Sequence, residues 1–372
     1  MKYMHIEDVR PGMILAEDIY LSRNRAIPYV RKDTMLTTHN ITALRTSGID
    51  FVRITERMEF RPRGKDPTQG HILRPKAIVT PKLKTTALDN LKDIFTLAVQ
   101  GEESGLSAPQ LVRQLDSVVD QLVDSVLRDR SALVNIEGLR SYDEYTYHHS
   151  LSVAVLSIAT GQALGMSARE LKALGKCALM HDIGKTSVPI EIINKPTRLS
   201  ADEYELVKSH SPAGFSYLYQ SNIGNDALLR GVLFHHEKVD GTGYPKQLKG
   251  GQIPIWSRII AVADVYDALT SHRPYRDPMH PAAAVEYVMA GVETAFDYDV
   301  VKGFLGKLEL YPVGSRVLLT GGLEAVVINC ENTMRPLVRL TETDEVLDLY
   351  ADLSCLNLTI EKILSDDTIK AV

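Results

Sequence analysis

Met180-His181-Asp182-Ile183-Gly184-Lys185 closes an apolar helical pattern with a histidine, an aspartate, a glycine turn and an ammonium, and the reading of the whole chain turns on it. A histidine joined directly to an aspartate offers one imidazole nitrogen and one carboxylate able to bridge two cations. His149 upstream and His210, His235, His236 and Asp264 downstream complete a set of metal-ligand side chains. Residues three or four apart share a helix face. On that spacing His149 falls with Val153 and Leu156, His181 with Leu174 and Cys177, His236 with Leu229 and Val232, and Asp264 with Ile260, so each candidate points inward. A single inward histidine is ordinarily a hydrogen-bonded core residue. Most of the 11 histidines, however, lie between residues 148 and 280, and a helical core burying several of them with two aspartates and no cation would carry a desolvation cost on the order of several kcal/mol.

Imidazole and carboxylate without thiolate suit iron, manganese, zinc or nickel, and a shared carboxylate among nitrogen donors favours two iron or manganese ions first. The expected arrangement has one metal on His149, His181, Asp182 and Asp264 and the other on Asp182, His210, His235 and His236, with Asp182 bridging. Such a pair lowers the pKa of a bridging water and holds a phosphoryl oxygen in line with it. The chemistry implied is a two-metal phosphoesterase.

Around this stretch, residues 135–311 read as a run of helices, mainly α in class. Ser167-Ala168-Arg169-Glu170 and Ser200-Ala201-Asp202-Glu203 each place a serine three residues before a glutamate, the capping box of a helix start. Upstream, Leu88, Leu91 and Phe95, then Leu111, Leu115, Val118, Leu122 and Val126, recur at helical spacing and predict two connecting helices within 85–134. These either dimerise and transmit a signal or pack into the helical core itself. Residues 61–84, rich in proline, glycine and basic side chains, read as a linker. Residues 1–60 read as a small α/β regulatory module: a Pro11-Gly12 turn, strands near Ile14-Leu15, Ile27 to Val30 and Phe51 to Ile54, and a helix over 37–47 ending before Gly48. From 312 to 372 the pattern alternates between glycine and proline breaks, over Ser315 to Leu319, Glu324 to Asn329 and Leu337 to Leu340, and predicts a β-rich C-terminal extension.

The 372 residues are 44% hydrophobic and 24% charged, the balance of a globular chain with two or three cores. A net charge of -5 argues against broad attraction to a nucleic acid polymer or an anionic membrane. Cys177, Cys330 and Cys355 are too scattered for a disulfide framework, and Cys177 reads as a helix-core thiol. Without a leader-like start or an apolar run of roughly 18 to 20 residues, the expected location is the cytoplasm, with no membrane insertion.

His181-Asp182-Ile183-Gly184-Lys185, followed by His235-His236-Glu237-Lys238-Val239-Asp240-Gly241-Thr242-Gly243-Tyr244-Pro245, resembles the HD-GYP family of bacterial cyclic di-GMP phosphodiesterases. Ala263-Asp264-Val265-Tyr266-Asp267-Ala268 and Arg273-Pro274-Tyr275-Arg276 continue the pattern, so the resemblance spans roughly 140–311. It implies an all-helical, metal-dependent domain that linearises cyclic di-GMP to 5′-pGpG, with pGpG or GMP left open as the end product. Position by position, it places the metal ligands on His149, His181, Asp182, His210, His235, His236 and Asp264. Some members use a glutamate four residues before the first histidine for a third ion; here Tyr145 stands there, and Glu144 is off the ligand direction, which favours two metals.

The resemblance implies phosphate contacts from Lys185, Arg273 and Arg276. Asp267, one turn after Asp264, is expected to orient Lys185 or a water or to relay a proton, the alternative being a salt bridge. Asp182, Lys185 and Asp267 thus form the expected catalytic set. Tyr244 offers an aromatic face to guanine or ribose. Cyclic di-GMP is the expected substrate; a diguanylate cyclase (GGDEF) domain at the Gly-Tyr-Pro loop and a homodimeric second copy are the expected protein partners. His272 and Tyr298 depart from the family pattern without touching a ligand position. Two other classes stand beside this reading: a non-catalytic cyclic-dinucleotide sensor, and an HD-type phosphohydrolase for another nucleotide, against which the Gly-Tyr-Pro loop argues.

Overall fold

Alternation of buried and exposed positions along Phe51–Thr55 (β3) makes this strand the middle of a three-stranded antiparallel sheet. Lys2–His5 (β1) pairs on one side, with Tyr3 opposite Arg53, and Ile14–Leu15 (β2) on the other. The helix Thr38–Thr46 (α1) belongs to the same module, whose core holds Leu15, Leu36, Leu44, Val52 and Ile54. The computed structural model describes residues 2–9, 13–20, 29–30, 32, 34, 36, 38–55, 79–104, 107–128, 134, 145–271, 277–330 and 332–364. The Pro11-Gly12 turn and most of the 61–84 linker lie outside them. The expected strand over 27–30 is described only at Tyr29 and Val30, where Val30 bridges Ile19. β1, absent from the sequence expectations, exists through pairing with a segment some fifty residues away, which no local pattern reports.

The chain divides into two compact units, one of residues 1–75 with 311–372, the other of residues 76–310. The first unit therefore joins the N-terminal module with the β-rich C-terminal residues. These form a five-stranded antiparallel sheet in the order β7-β6-β5-β4-β8, from Arg316–Leu319 (β4), Leu323–Asn329 (β5), Leu337–Leu340 (β6), Val346–Asp348 (β7) and Ile360–Ile363 (β8).

The second unit is helical. Pro81–Gln100 (α2) begins inside the residues read as linker, because Thr80 caps it by accepting from the Leu83 amide and Pro81 occupies the first turn, where its missing N–H is not needed. Ala108–Arg128 (α3) buries Leu111, Leu115, Val118, Leu122 and Val126 and packs with Tyr145–Ala163 (α4) and Ala168–Met180 (α5). The two connecting helices are thus part of the helical core's own packing. Both serine–glutamate capping boxes form, at Ser167 before α5 and at Ser200 before Ala201–Lys208 (α7), which follows the short Ile190–Ile193 (α6); a cap of this kind stabilises a helix by about 1 kcal/mol. His210–Gln220 (α8), Asp226–Phe234 (α9), Ile255–Thr270 (α10), Pro281–Ala290 (α11) and Tyr298–Leu305 (α12) complete the unit. α4 lies at its centre against α5, α10 and α12, with Leu151, Val153, Ala154 and Ile158 fully buried, so a polar group on its inner face must find its partners inside the protein.

Candidate metal centre

Five imidazoles and two carboxylates come together from five places in the chain. His149 stands near the start of α4, His181 and Asp182 follow the end of α5, His210 opens α8, His235 and His236 follow α9, and Asp264 lies in α10. The convergence needs Gly184. A Cβ there would sit 1.9 Å from the His210 carbonyl oxygen, so a side chain at 184 would push the start of α8 away from Asp182.

Helix ends explain how the imidazoles are aimed. The last carbonyls of a helix lack intrahelical donors. His181 Nδ1 lies 2.7 Å from the Ala178 carbonyl, His235 Nδ1 2.6 Å from that of Val232, and His210 Nδ1 2.6 Å from that of Val207 at the end of α7. A carbonyl only accepts, so each Nδ1 carries the hydrogen and each Nε2 presents a lone pair. His149 is held differently, by Asp267 Oδ2, 2.7 Å from its Nδ1.

The Nε2 atoms point at one another. His210 Nε2 lies 3.2 Å from His235 Nε2 and 3.1 Å from His236 Nε2. Two lone pairs at that distance repel unless a proton or cation lies between them. His149 Nε2 is 3.1 Å from Asp264 Oδ1, and Asp182 sits between the halves, with Oδ2 3.4 Å from His181 Nε2 and Oδ1 3.5 Å from His210 Nε2. Two groups of donors result, His149 with His181 and Asp182, and His210 with His235 and His236, each with its ligand atoms within 4.8 Å of one another. Buried His181 Nε2 has no hydrogen-bond partner among the described residues. This donor set, with its lone pairs pre-aimed, can hold divalent metal.

The electrostatics of the halves differ in sign. Burial works against a charged His149, but hydrogen bonds to Asp264 and Asp267 and their negative charge prevail and raise it to about 9. Burial and neighbouring imidazoles hold His235 well below its ordinary range and lower His210 and His236 as well. Asp182 and Asp264 resist burial, which alone would raise them, and stay ionised: His181 and Lys185 act on the first, His149 on the second. Lys185 Nζ lies 2.5 Å from Asp182 Oδ2.

The Gly-Tyr-Pro segment folds over the imidazole half. The Tyr244 ring stacks on His236 with centroids 4.7 Å apart, and the Tyr244 amide donates to the His236 carbonyl at 3.2 Å. Burial raises the Tyr244 phenol, which is therefore neutral. Gly243 permits the turn, since a Cβ there would lie 2.3 Å from the Lys238 nitrogen. Buried Glu237 anchors it by accepting from the Lys246 and Leu248 amides at 2.6 and 3.0 Å. Residue order alone gives Glu237 no task, because only the folded loop brings those amides to its carboxylate.

All seven expected ligands therefore lie in one centre, with Lys185 and Tyr244 at its edge and Asp267 behind His149. Arg273, Arg276 and His272 lie outside the described residues, as does Glu144. Cys177 is a core thiol as expected, donating to the Leu228 carbonyl at 3.4 Å, with burial raising its pKa. Among the described residues no helix is long and apolar enough to cross a membrane.

Residues 133–300 match the family model described as HD domain. The chain is 40% identical over 211 residues to a cyclic di-GMP phosphodiesterase of Pseudomonas aeruginosa, covering 57% of this chain and 51% of that protein. It is 38% identical over 181 residues to a cyclic di-GMP phosphodiesterase of Thermotoga maritima, covering 47% and 48%, and 38% identical over 157 residues to 3'3'-cGAMP-specific phosphodiesterase 1 of Vibrio cholerae, covering 42% and 36%. The chain thus spans about half or less of the length of these relatives. Among solved structures it is similar to an HD-GYP-type protein from Bdellovibrio bacteriovorus, at 18% identity and a TM-score of 0.49, covering 82% of this chain and 97% of that one.

Proposed function

We propose, from the match of residues 133–300 to the HD domain model, that this chain is a metal-dependent phosphodiesterase hydrolysing cyclic di-GMP to 5′-pGpG, with GMP the alternative end product. The observation that carries the reading is the convergence of five imidazoles on a central carboxylate, with His181, His210 and His235 aimed by helix-end carbonyls and His149 by Asp267. His149, His181, Asp182 and Asp264 would hold one divalent ion and Asp182, His210, His235 and His236 the second, iron or manganese before zinc or nickel. Bound there, such ions supply Lewis acidity and an activated water for phosphodiester hydrolysis.

The chain's own groups set the stage for that chemistry. Asp182 keeps its charge between the two halves, and Lys185, beside it and partly exposed, is placed to reach from the carboxylate to a phosphoryl oxygen. Asp267 fixes the His149 tautomer and ring direction, a positioning role. Tyr244, neutral and stacked on His236, presents an aromatic wall to a nucleobase. Arg273 and Arg276 supply further phosphate contacts in this reading. The Gly-Tyr-Pro loop is the surface for a diguanylate cyclase (GGDEF) domain, and a second copy of the chain is the expected homodimer partner.

One relative from Vibrio cholerae is named a 3'3'-cGAMP-specific phosphodiesterase, which makes 3'3'-cGAMP the competing substrate to test. The deciding experiment is anaerobic purification with metal analysis and, on the same sample, product analysis with cyclic di-GMP and 3'3'-cGAMP. About two ions per chain and release of pGpG from cyclic di-GMP are expected. A metal-loaded protein that binds both dinucleotides and cleaves neither would be a sensor, and the proposal would be wrong.

A further inference from the structure

The last turn of α7 carries a cation that none of the chemistry above uses. Lys208 Nζ lies 5.2 Å from the centroid of the Tyr204 ring and 5.7 Å from that of Tyr244, the ring that stacks on His236. Only Ser209 separates Lys208 from His210, so the same helix end that aims a metal ligand also places this ammonium. Its carboxylate contact among the described residues, with Glu205, joins a lysine side chain 24% exposed to a glutamate 69% exposed. An ion pair with so wet a partner contributes little. The ammonium is positioned by two aromatic faces, which attract a cation without offering it a counter-ion, and so it faces a ligand beside Tyr244.

Cyclic dinucleotides carry two phosphodiesters and two bases. The metal centre can engage only the phosphodiester being cleaved, which leaves a second negative group and its base to be held elsewhere in the same site. Tyr204 is half exposed and Tyr244 partly buried beside the centre, so a planar base has a ring to meet on either side of the lysine.

We propose that Lys208 binds the phosphodiester that is not cleaved, and that Tyr204 and Tyr244 flank the adjoining base. This assignment rests on the phosphodiesterase reading and gives the site its preference for a dinucleotide over a small ester. The lysine takes no part in bond making or breaking. Removing it acts on substrate binding.

The test is steady-state kinetics of the metal-loaded full chain, wild type against Lys208→Ala, Lys208→Gln and Lys208→Arg, with cyclic di-GMP, 3'3'-cGAMP and bis-p-nitrophenyl phosphate, and metal content measured on each sample. Lys208→Ala and Lys208→Gln are expected to raise KM for the dinucleotide roughly tenfold, the low end of what one charge-assisted hydrogen bond supplies. The effect on kcat and on the small ester should be much smaller, with Lys208→Arg recovering most of the loss. KM of the wild type should also rise more steeply with salt than that of Lys208→Gln. An unchanged dinucleotide KM overturns the assignment, and so does an equal loss on all substrates or a loss of metal, either of which makes Lys208 a support for His210. A wild type that cleaves the small ester but no cyclic dinucleotide overturns the substrate reading and this assignment together; a wild type that cleaves the dinucleotide with Lys208 indifferent overturns this assignment alone.

Discussion

The two halves of the candidate metal centre, one of histidine with aspartate and the other of histidine alone, behave oppositely. Around His149, buried Asp267 and partly exposed Asp264 lie within 3.1 Å of its ring nitrogens and hold it protonated up to about 9. Around His210, His235 and His236, ring faces ring, the nearest aspartate oxygens among the described residues are 3.5 Å away or more, and burial keeps the imidazoles neutral with their lone pairs exposed to one another. One half holds excess negative charge, which a proton satisfies when no metal is present. The other holds excess lone pairs, which only a cation satisfies. Asp182 lies between them, 3.4 Å from His181 Nε2 and 3.5 Å from His210 Nε2, where the proposed bridging role would join two unlike groups.

Breaking the junction should have the largest effect. Asp182→Ala removes the carboxylate common to both halves, and turnover should fall about 1000-fold or more, with metal analysis showing less than the wild-type content. Retention of both ions and of activity would show that the halves do not share this residue.

The difference in charge makes a pH prediction for metal-free protein. His149 titrates near 6.5 in an unfolded chain and at about 9 in the fold, so the folded state binds its proton more tightly. The stability this contributes is fully present below pH 6.5 and is lost as pH rises towards 9, roughly 3 kcal/mol at about 1.4 kcal/mol per unit. Denaturation midpoints of chelator-treated protein across that window should decline accordingly. Metal-loaded protein should not show this decline, because a cation replaces the proton; parallel curves would mean that the His149 half holds no metal.

Asp267→Asn sharpens the same point. It removes one of the two charges that raise His149 and loosens the ring, and metal affinity or activity should fall about 10- to 100-fold, as for loss of the partner of a metal-binding histidine. The pH-dependent swing in metal-free stability should shrink in the same variant. A swing of undiminished size would assign the His149 shift to Asp264 alone.

Tyr244→Ala probes the imidazole half from outside and should be the mildest on the chemistry. Loss of one stacking ring should reduce cyclic di-GMP hydrolysis about 5- to 100-fold, and hydrolysis of bis-p-nitrophenyl phosphate much less. Equal losses on the two substrates, with metal retained, would place the ring in the reacting apparatus.

Much of this was legible in the chain itself. The capping boxes at Ser167 and Ser200, the inward faces of α3 and the order of the helical unit follow from spacing, because hydrogen bonds and apolar faces within one helix are decided by residues a few positions apart. That His149, His181, Asp182, His210, His235, His236 and Asp264 face inward was equally readable from helical spacing, and the fold brings these imidazoles and carboxylates together. Tertiary structure decided which nitrogen of each ring faces the centre, since that depends on which carbonyl or carboxylate lies behind it. It decided that Asp267 supports His149, that Glu237 pins the Gly-Tyr-Pro loop, and that Lys208 stands over Tyr244. It also paired β1 with β3 across some fifty residues. Each of these rests on groups brought to within hydrogen-bonding or ring-contact distance by helix crossings or strand pairing, and the direction of a lone pair or an ammonium is a property of that three-dimensional approach, which residue order does not encode locally.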